Sequence, residues 1–271
     1  MTYYIDPDEL AVSINDPGTR VVDVRAGLGS AGAGREAWER EHIPGAPFAD
    51  WIADWGDTEH PVEGMLARPQ QFADLLSRLG VTPETSVVAY DDNQLFTASR
   101  FAWALQHYGH EDVRVLNGGL PAWIAKGHPT ASDAVEIEAT TYPVPAPGGL
   151  RAELSDVQEA LEDGSTRLVD CRMDMTYDAA GAHIPGATRL PAPDLVGADG
   201  SFLDVAQVQS KAEAAGVDRE HPTILYCGGG VSASAAFVAL REAGFENVRV
   251  YDGSWSEWST YSDTPKEANQ T

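Results

Sequence analysis

The sequence predicts an α/β protein made of two similar domains, each a parallel sheet flanked by helices on both faces. Three observations support this prediction. Short apolar segments rich in β-branched residues alternate with helical patterns, as in sheets whose strands are joined by helices. The same order of segments occurs twice along the chain of 271 residues. A stretch rich in proline and glycine separates the two occurrences.

Four segments of the first half recur in the same order in the second half. They are a strand ending in Asp-x-Arg, a His-Ile-Pro-Gly-Ala turn, a strand ending in tyrosine, and a Val-Arg-Val strand before a glycine turn. The matched pairs are residues 21–25 and 168–172, 41–46 and 182–187, 87–90 and 223–226, and 112–123 and 247–258. We therefore expect domains at residues 1–128 and 150–271, joined by an extended linker at 129–149.

Helix signals complete each copy. In the first copy, apolar periodicity predicts helices over residues 69–79 and 99–108, each followed by a glycine. In the second copy, Ser155 and Gln158 have the spacing of a capping box. We therefore expect a helix with Ser155 as its N-cap residue and Gly164 at its end.

The sequence concentrates its chemistry after the third repeated strand of the second copy. There, Cys227 follows a buried strand pattern and is separated by three glycines from a helix-forming segment. Open α/β sheets place their sites at the carboxyl ends of strands. Glycine lets backbone N–H groups turn inward, and the helix N-terminus adds positive potential, which together favour a thiolate and a bound anion. The predicted anion-binding loop consists of Gly228, Gly229, Gly230, Val231 and Ser232.

Two further interpretations of this loop stay open. Cys227 alone is also compatible with a core cysteine beside a glycine-rich turn, because free cysteine is among the most buried residue types. Ser232 either caps the helix or donates a hydrogen bond to a sulfur anion bound at Cys227. Cys171, in a predicted core strand, is most simply a packed apolar residue.

The first copy differs at the equivalent loop. Alignment of Tyr90 with Tyr226 places Asp91 opposite Cys227, and the first loop is one residue longer. A carboxylate does not attack as a thiolate does, so we expect the first copy to be catalytically inert. Leu95 and Phe96 are candidate apolar residues at the lip of a cleft, with local packing as the alternative.

Composition limits the classes of partner. The net charge of −24 argues against nucleic acid and anionic membranes. The chain begins with early acidic residues and lacks an apolar signal segment. Its two cysteines form neither a disulfide framework nor a metal-binding spacing. We therefore expect a soluble cytoplasmic protein, a monomer or weak dimer, with reduced thiols and with no metal or cofactor.

The chain resembles the tandem-domain rhodaneses, the thiosulfate and 3-mercaptopyruvate sulfurtransferases. The resemblance rests on Asp-x-Arg and His-Ile-Pro-Gly-Ala in both copies, on the Cys-Gly-Gly-Gly-Val-Ser-Ala loop, and on the segment 251–258. It implies two rhodanese-like domains of which only the second is active. It also implies a persulfide on Cys227, a small anionic sulfur donor, and cyanide or a thiol as acceptor.

The resemblance leaves the donor open. Gly228 and Gly230 match the mercaptopyruvate type, whereas Gly229 lacks the hydroxyl group of that pattern. The family usually has a substrate-binding arginine four residues after the Asp-x-Arg arginine, and this position holds Thr176. Besides Thr176 and Phe96, the remaining substrate-binding candidates are Arg172 and Arg189. Arg172 is also compatible with a structural brace paired with Asp170 or a backbone carbonyl.

Two other functions belong to different classes. Rhodanese-like phosphatases and arsenate reductases use Cys-x5-Arg, whose arginine clamps the oxyanion. Ala233 occupies that arginine position here, so we disfavour this interpretation. A persulfide carrier without turnover would have the same loop, and only an assay with small sulfur donors distinguishes it from an enzyme.

Overall fold

The structure is a computed structural model that describes residues 2–27 and 32–269. The chain divides into two compact units. The first is Met1–Gly148 with Ala198–Ser201, and the second is Gly149–Gly197 with Phe202–Thr271. Each unit contains one copy of the repeated segments and one parallel sheet flanked by helices. The predicted α/β fold class is therefore confirmed.

The first unit is built on a four-stranded parallel sheet in the order β1-β4-β3-β2. Its strands are β1 (Tyr4–Ile5), β2 (Thr19–Asp23), β3 (Ser86–Tyr90) and β4 (Val113–Leu116). Its helices are α1 (Pro7–Ser13), α2 (Ala33–Arg40), α3 (Trp51–Trp55), α4 (Pro69–Arg78), α5 (Phe96–His107) and α6 (Gly119–Ala125).

The second unit has a five-stranded parallel sheet in the order β5-β10-β9-β6-β8, and β7 pairs with β11. The strands are β5 (Arg151–Ala152), β6 (Arg167–Asp170), β7 (Ala182–His183), β8 (Thr188–Arg189), β9 (Thr223–Tyr226), β10 (Val248–Tyr251) and β11 (Glu267–Ala268). The helices are α7 (Leu154–Asp163), α8 (Asp174–Ala180), α9 (Val205–Ala214), α10 (Val231–Glu242) and α11 (Ser254–Trp258), with a 3-10 turn at Ala192–Leu195.

The two cores repeat the same design. Each includes the tyrosine that ends the central strand and a tryptophan from a short helix after the next strand. These are Tyr90 and Trp123 in the first unit, and Tyr226 and Trp258 in the second. All four side chains are almost fully buried. The central strands β3 and β9 therefore end at equivalent points, where the two loops begin.

Helix boundaries differ from the predictions in three helices. The helix α7 starts two residues early, because Glu153 has extended backbone after β5 and its N–H group donates to Asp156 at 2.7 Å. The capping box predicted from Ser155 and Gln158 is therefore wrong, although Gly164 ends α7 with a φ of 66°. The helix α5 begins at Phe96, three residues before the predicted start, and α4 ends at Arg78, one residue before the predicted end.

Residues 132–150 contain no helix or strand. Their backbone bonds to the first unit, since Thr140 N donates to Ser77 O at 2.9 Å and Gly148 N to His107 O at 2.7 Å. Among the described residues, no helix is both long enough and apolar enough to cross a membrane.

Candidate active site

Cys227 is the first residue after β9, and α10 begins four residues later. Its side chain is 2% exposed, whereas Gly228 and Gly229 are half-buried. Only one of the three glycines needs its conformational freedom: Gly230 has a φ of 77° and occupies the N-cap position of α10. A Cβ atom at Gly228 or Gly229 would meet nothing within 4 Å. These two glycines therefore leave open space beside the cysteine.

The loop offers backbone donors. In the described part of the chain, the N–H groups of Gly228, Gly229 and Gly230 donate no hydrogen bond to the protein. Backbone N–H groups without protein acceptors at the start of a helix form a concave site for an anion. This arrangement agrees with the predicted anion-binding loop.

Ser232 does not cap α10. Because Gly230 takes the N-cap position, Ser232 lies within the first helical turn, and the capping role considered for it from the sequence is wrong. Its hydroxyl group instead donates to the carbonyl of Cys171 over 3.4 Å. A hydrogen bond of that length is weak, so the hydroxyl group can change partner at little cost.

Ser254, which was not predicted from the sequence, fixes the backbone of the cysteine. Its Oγ accepts the N–H group of Cys227 at 3.1 Å and donates to the carbonyl of Tyr251 at 2.8 Å. Its φ of 52° is unusual for a residue with a side chain. Trp255 N also donates to Cys227 O at 3.0 Å. The available signal was a serine in the position where the first copy has Gly119.

The equivalent loop of the first unit binds an anion of its own. The carboxylate of Asp91, 1% exposed, accepts four hydrogen bonds. The donors are Asn93 N at 3.0 Å, Leu95 N at 3.1 Å, Ala98 N at 2.9 Å and Thr97 Oγ1 at 3.0 Å. Burial raises the pKa of Asp91, and the bonds from Ala98 and Asn93 oppose that rise. The backbone supports the alignment with Cys227, because Leu120 N donates to Asp91 O at 2.9 Å.

A buried ion pair supports each loop from below. In the second unit, Arg172 Nε lies 3.0 Å from both oxygens of Asp170, and Nη2 donates to the carbonyl of Ala182 at 3.0 Å. The hydroxyl group of Tyr226 donates to Asp170 at 2.8 Å. Burial alone would lower the pKa of Arg172, but the hydrogen bonds and charge of Asp170 outweigh it and raise the pKa. The predicted pairing of Arg172 with Asp170 is confirmed.

The remaining substrate-binding candidates have other contacts. Arg189 donates to Asp174 at 2.6 Å and stacks on the ring of Tyr177 at 3.8 Å. Thr176 is exposed on α8, and its hydroxyl group donates to the carbonyl of Met173 at 2.9 Å. Neither side chain is tied to the cysteine loop by these bonds.

Leu95 and Phe96 do not form an exposed lip, because they are only 1% and 3% exposed. The N–H group of Leu95 donates to the buried carboxylate of Asp91, and Phe96 is the first residue of α5. The structure therefore corrects the lip prediction in favour of packing. A substrate-binding role of Phe96 stays a prediction.

The second cysteine behaves as a core residue. Cys171 is fully buried, and its thiol lies 3.9 Å from the carbonyl of Val169. Burial raises the pKa of Cys171 well above its usual value, and the nearby Cys227 and Asp170 act in the same direction. The thiol therefore stays protonated at neutral pH, as expected for a packed apolar residue.

Two features define the class of this protein: a duplicated α/β fold, and a cysteine in the loop before a helix N-terminus in one of the two copies. The model of the Rhodanese-like domain matches residues 6–126 and again residues 153–261. The chain therefore belongs to the rhodanese family, as a tandem-domain member.

Known relatives agree along the whole chain. The chain is 32% identical to the 3-mercaptopyruvate sulfurtransferase of Escherichia coli K12, over 98% of both chains. It is 34% identical to the thiosulfate sulfurtransferase of Cricetulus griseus, over 89% of this chain and 85% of the relative. A crystal structure of a 3-mercaptopyruvate sulfotransferase from Escherichia coli superposes with a TM-score of 0.85, at 32% identity, over 95% of this chain and all of that one. The resemblance to the rhodanese sulfurtransferases is confirmed.

Proposed function

We propose that this protein is a sulfurtransferase that moves a sulfane sulfur from thiosulfate or 3-mercaptopyruvate to cyanide or a thiol. The observation that carries the proposal is the pair of matching loops. Cys227 stands where the first unit has Asp91, whose carboxylate is bound by three N–H groups and one hydroxyl group. A persulfide places its outer sulfur two bonds from Cβ, the same number of bonds that separates Cβ from a carboxylate oxygen of aspartate.

The reaction proceeds in two displacements. The Cys227 thiolate attacks the outer sulfur of thiosulfate, so a new S–S bond forms and the old S–S bond breaks to release sulfite. With 3-mercaptopyruvate the C–S bond breaks, and the resulting carbanion takes the thiol proton to give pyruvate. Cyanide then attacks the outer sulfur, which leaves as thiocyanate and restores the thiolate. The backbone N–H groups of the loop stabilise the anionic sulfur in both steps.

The hydroxyl group of Ser232 is positioned to stabilise the persulfide. Its counterpart in the repeat is Thr97, which donates to the anion of the first loop at 3.0 Å. Ser232 can exchange its long hydrogen bond to Cys171 for one to the persulfide. The first unit does not transfer sulfur, because its loop is filled by a carboxylate that is part of the chain.

The test is a paired assay of thiocyanate formation from cyanide with each donor in turn. We expect turnover with at least one donor, complete loss of turnover in Cys227→Ser, and retained turnover in the matched first-loop variant Asp91→Asn. Turnover that survives Cys227→Ser would refute the proposal. Stable persulfide formation by mass spectrometry, without turnover from either donor, would instead identify a sulfur carrier.

Hydrolysis of a chromogenic phosphate ester provides a check on the phosphatase interpretation. We expect none, because no arginine follows Cys227 at the position where a phosphatase loop requires it. Hydrolysis that disappears in Cys227→Ser would contradict the sulfurtransferase assignment.

A further inference from the structure

The guanidinium group of Arg172 has one edge without a partner. Asp170 occupies Nε and Nη2, and the carbonyl of Ala182 also accepts from Nη2. Its two nearest aromatic neighbours are the rings of Trp255 at 4.7 Å and Tyr177 at 4.9 Å. Within the described residues, Nη1 is buried and has no hydrogen-bond partner, and the side chain is only 1% exposed. A buried cationic donor without a partner costs folding free energy, which indicates that this edge of the guanidinium group binds a ligand.

The first unit shows what lies beside the same edge in the other copy. Arg25 repeats the contacts of Arg172: Nε and Nη2 bond to Asp23, and Nη2 also bonds to a backbone carbonyl, that of Glu41. Its Nη1 lies 3.7 Å from a carboxylate oxygen of Asp92. Because the other contacts fix the guanidinium plane in the same way, the two Nη1 atoms point toward equivalent positions in their units.

The carboxylate that faces Arg25 has no counterpart in the second unit. Asp92 directly follows Asp91, and Gly228 directly follows Cys227. The second copy therefore lacks the carboxylate that faces the third guanidinium nitrogen in the first copy. The position beside Gly228 also lies next to the nucleophile in sequence and in space, since one peptide bond separates them.

We propose that Nη1 of Arg172 binds the anionic group of the sulfur donor beside Gly228, where the first unit has the carboxylate of Asp92. This proposal rests on the proposed function and names its substrate class: small anions whose carboxylate or sulfonyl group lies within a few bonds of the transferred sulfur. A bond from a guanidinium to such a group is charge-assisted and therefore strong. It also gives a chain with a net charge of −24 a local positive group that attracts an anion.

The other candidate, Arg189, has no buried unpaired nitrogen of this kind among the described residues. Arg189 donates instead to the carboxylate of Asp174 at 2.6 Å and to the carbonyl of Arg172 at 3.3 Å. Arg172 differs because its partner Asp170 occupies two nitrogens and leaves the third unpaired. Arg172 is thus both a brace for the loop and the donor-binding group.

The test recreates the first loop's ion pair in the second loop. The variant Gly228→Asp adds a carboxylate beside Arg172, and a Cβ atom at Gly228 meets nothing within 4 Å. The matched control is Gly228→Asn, which has the same shape without the charge. The readout is the rate of Cys227 alkylation by iodoacetate, an anion, divided by the rate with neutral iodoacetamide. This ratio cancels changes in thiol reactivity and needs no sulfur transfer.

We expect the ratio to fall about tenfold or more in Gly228→Asp, which corresponds to loss of one hydrogen bond to a charged group. The ratio in Gly228→Asn falls much less. In the sulfur-transfer assay, Gly228→Asp raises the KM for the donor more than it lowers kcat. Pyruvate and sulfite protect Cys227 of the unchanged protein from iodoacetamide, and they protect Gly228→Asp less.

Equal ratios in the two variants, or a ratio unaffected by either, would overturn the assignment and leave Arg172 as a brace alone. Failure of the proposed function gives a different pattern. In that case the alkylation ratio responds to Gly228→Asp as described, but neither thiosulfate nor 3-mercaptopyruvate yields thiocyanate. Unfolding curves of both variants in urea check that the second unit remains folded.

Discussion

The loops after β3 and β9 rest on the same buried cluster of side chains, called the shared frame below, but they differ in the side chain at the start of the loop. In each unit, an arginine, an aspartate and a tyrosine form the same buried cluster under the loop. The first loop encloses the carboxylate of Asp91, and the second carries the thiol of Cys227 with backbone donors that have no protein acceptor. The comparison separates two sets of residues. Those that both units retain support the loop, and those that only the second unit has are the ones to which we assign the proposed sulfur transfer.

The largest effect is expected from the shared frame. Removal of the aspartate in Asp23→Ala or Asp170→Ala leaves a buried guanidinium unpaired, which costs about 3–5 kcal/mol of unfolding free energy. Urea unfolding of both variants measures this loss. Both variants destabilise the protein, but only Asp170→Ala also slows sulfur transfer at temperatures where it stays folded. A loss below about 1 kcal/mol in either variant would show that the ion pair is not a brace.

A smaller loss of stability is expected at Ser254, which holds the backbone of Cys227 and has no counterpart side chain in the first unit. Ser254→Ala leaves the buried N–H group of Cys227 without its acceptor, so we expect a loss of about 1–3 kcal/mol. Ser254→Gly loses less, because glycine relieves the φ of 52°. Thermal unfolding and kcat are measured for both. A KM change without a kcat change would contradict a role in holding the nucleophile.

The matching change in the first unit is Gly119→Ala. Gly119 has a φ of 60°, and a Cβ atom there would lie 2.2 Å from the carbonyl oxygen of Asp91. We expect destabilisation of about 1–3 kcal/mol from the backbone conformation alone, with more from the clash, and unchanged kcat in the folded protein. Activity loss without destabilisation would show that the first loop takes part in the reaction.

The smallest effect concerns the second cysteine. The residue that matches Cys171 in the first copy is Val24. The variant Cys171→Val therefore places in the second unit the residue that the first unit has at this position. The change is close to isosteric and apolar, and we expect less than about 1.5 kcal/mol of destabilisation with retained sulfur transfer. Alkylation by iodoacetamide modifies only Cys227 in the folded protein, because burial raises the pKa of Cys171. Fast labelling of Cys171 would contradict its assignment to the core.

The features that depend on residue identity and order could be predicted from the sequence. Duplication, the equivalence of Asp91 and Cys227, and the pairing of Arg172 with Asp170 all follow from aligned segments, because repeated side chains must pack in repeated places. These features define the fold and locate the proposed nucleophile.

Features that depend on backbone angles were out of reach. A serine is a good N-cap residue in general, but the left-handed conformation of Gly230 takes that position from Ser232. The burial of Phe96 depends on a turn at Leu95, whose φ is 65°, and apolar composition does not reveal it. The contribution of Ser254 likewise depends on a strained φ that no propensity favours.

The carboxylate enclosed in the first loop also decides how the protein responds to chemical attack. Asp91 is insensitive to oxidants and alkylating reagents, and its loop donors are occupied by a group that cannot dissociate. Of the two loops, only the second therefore carries a thiol that such reagents modify, that of Cys227. The molecule can lose its reactivity through one sulfur atom while half of its architecture stays intact.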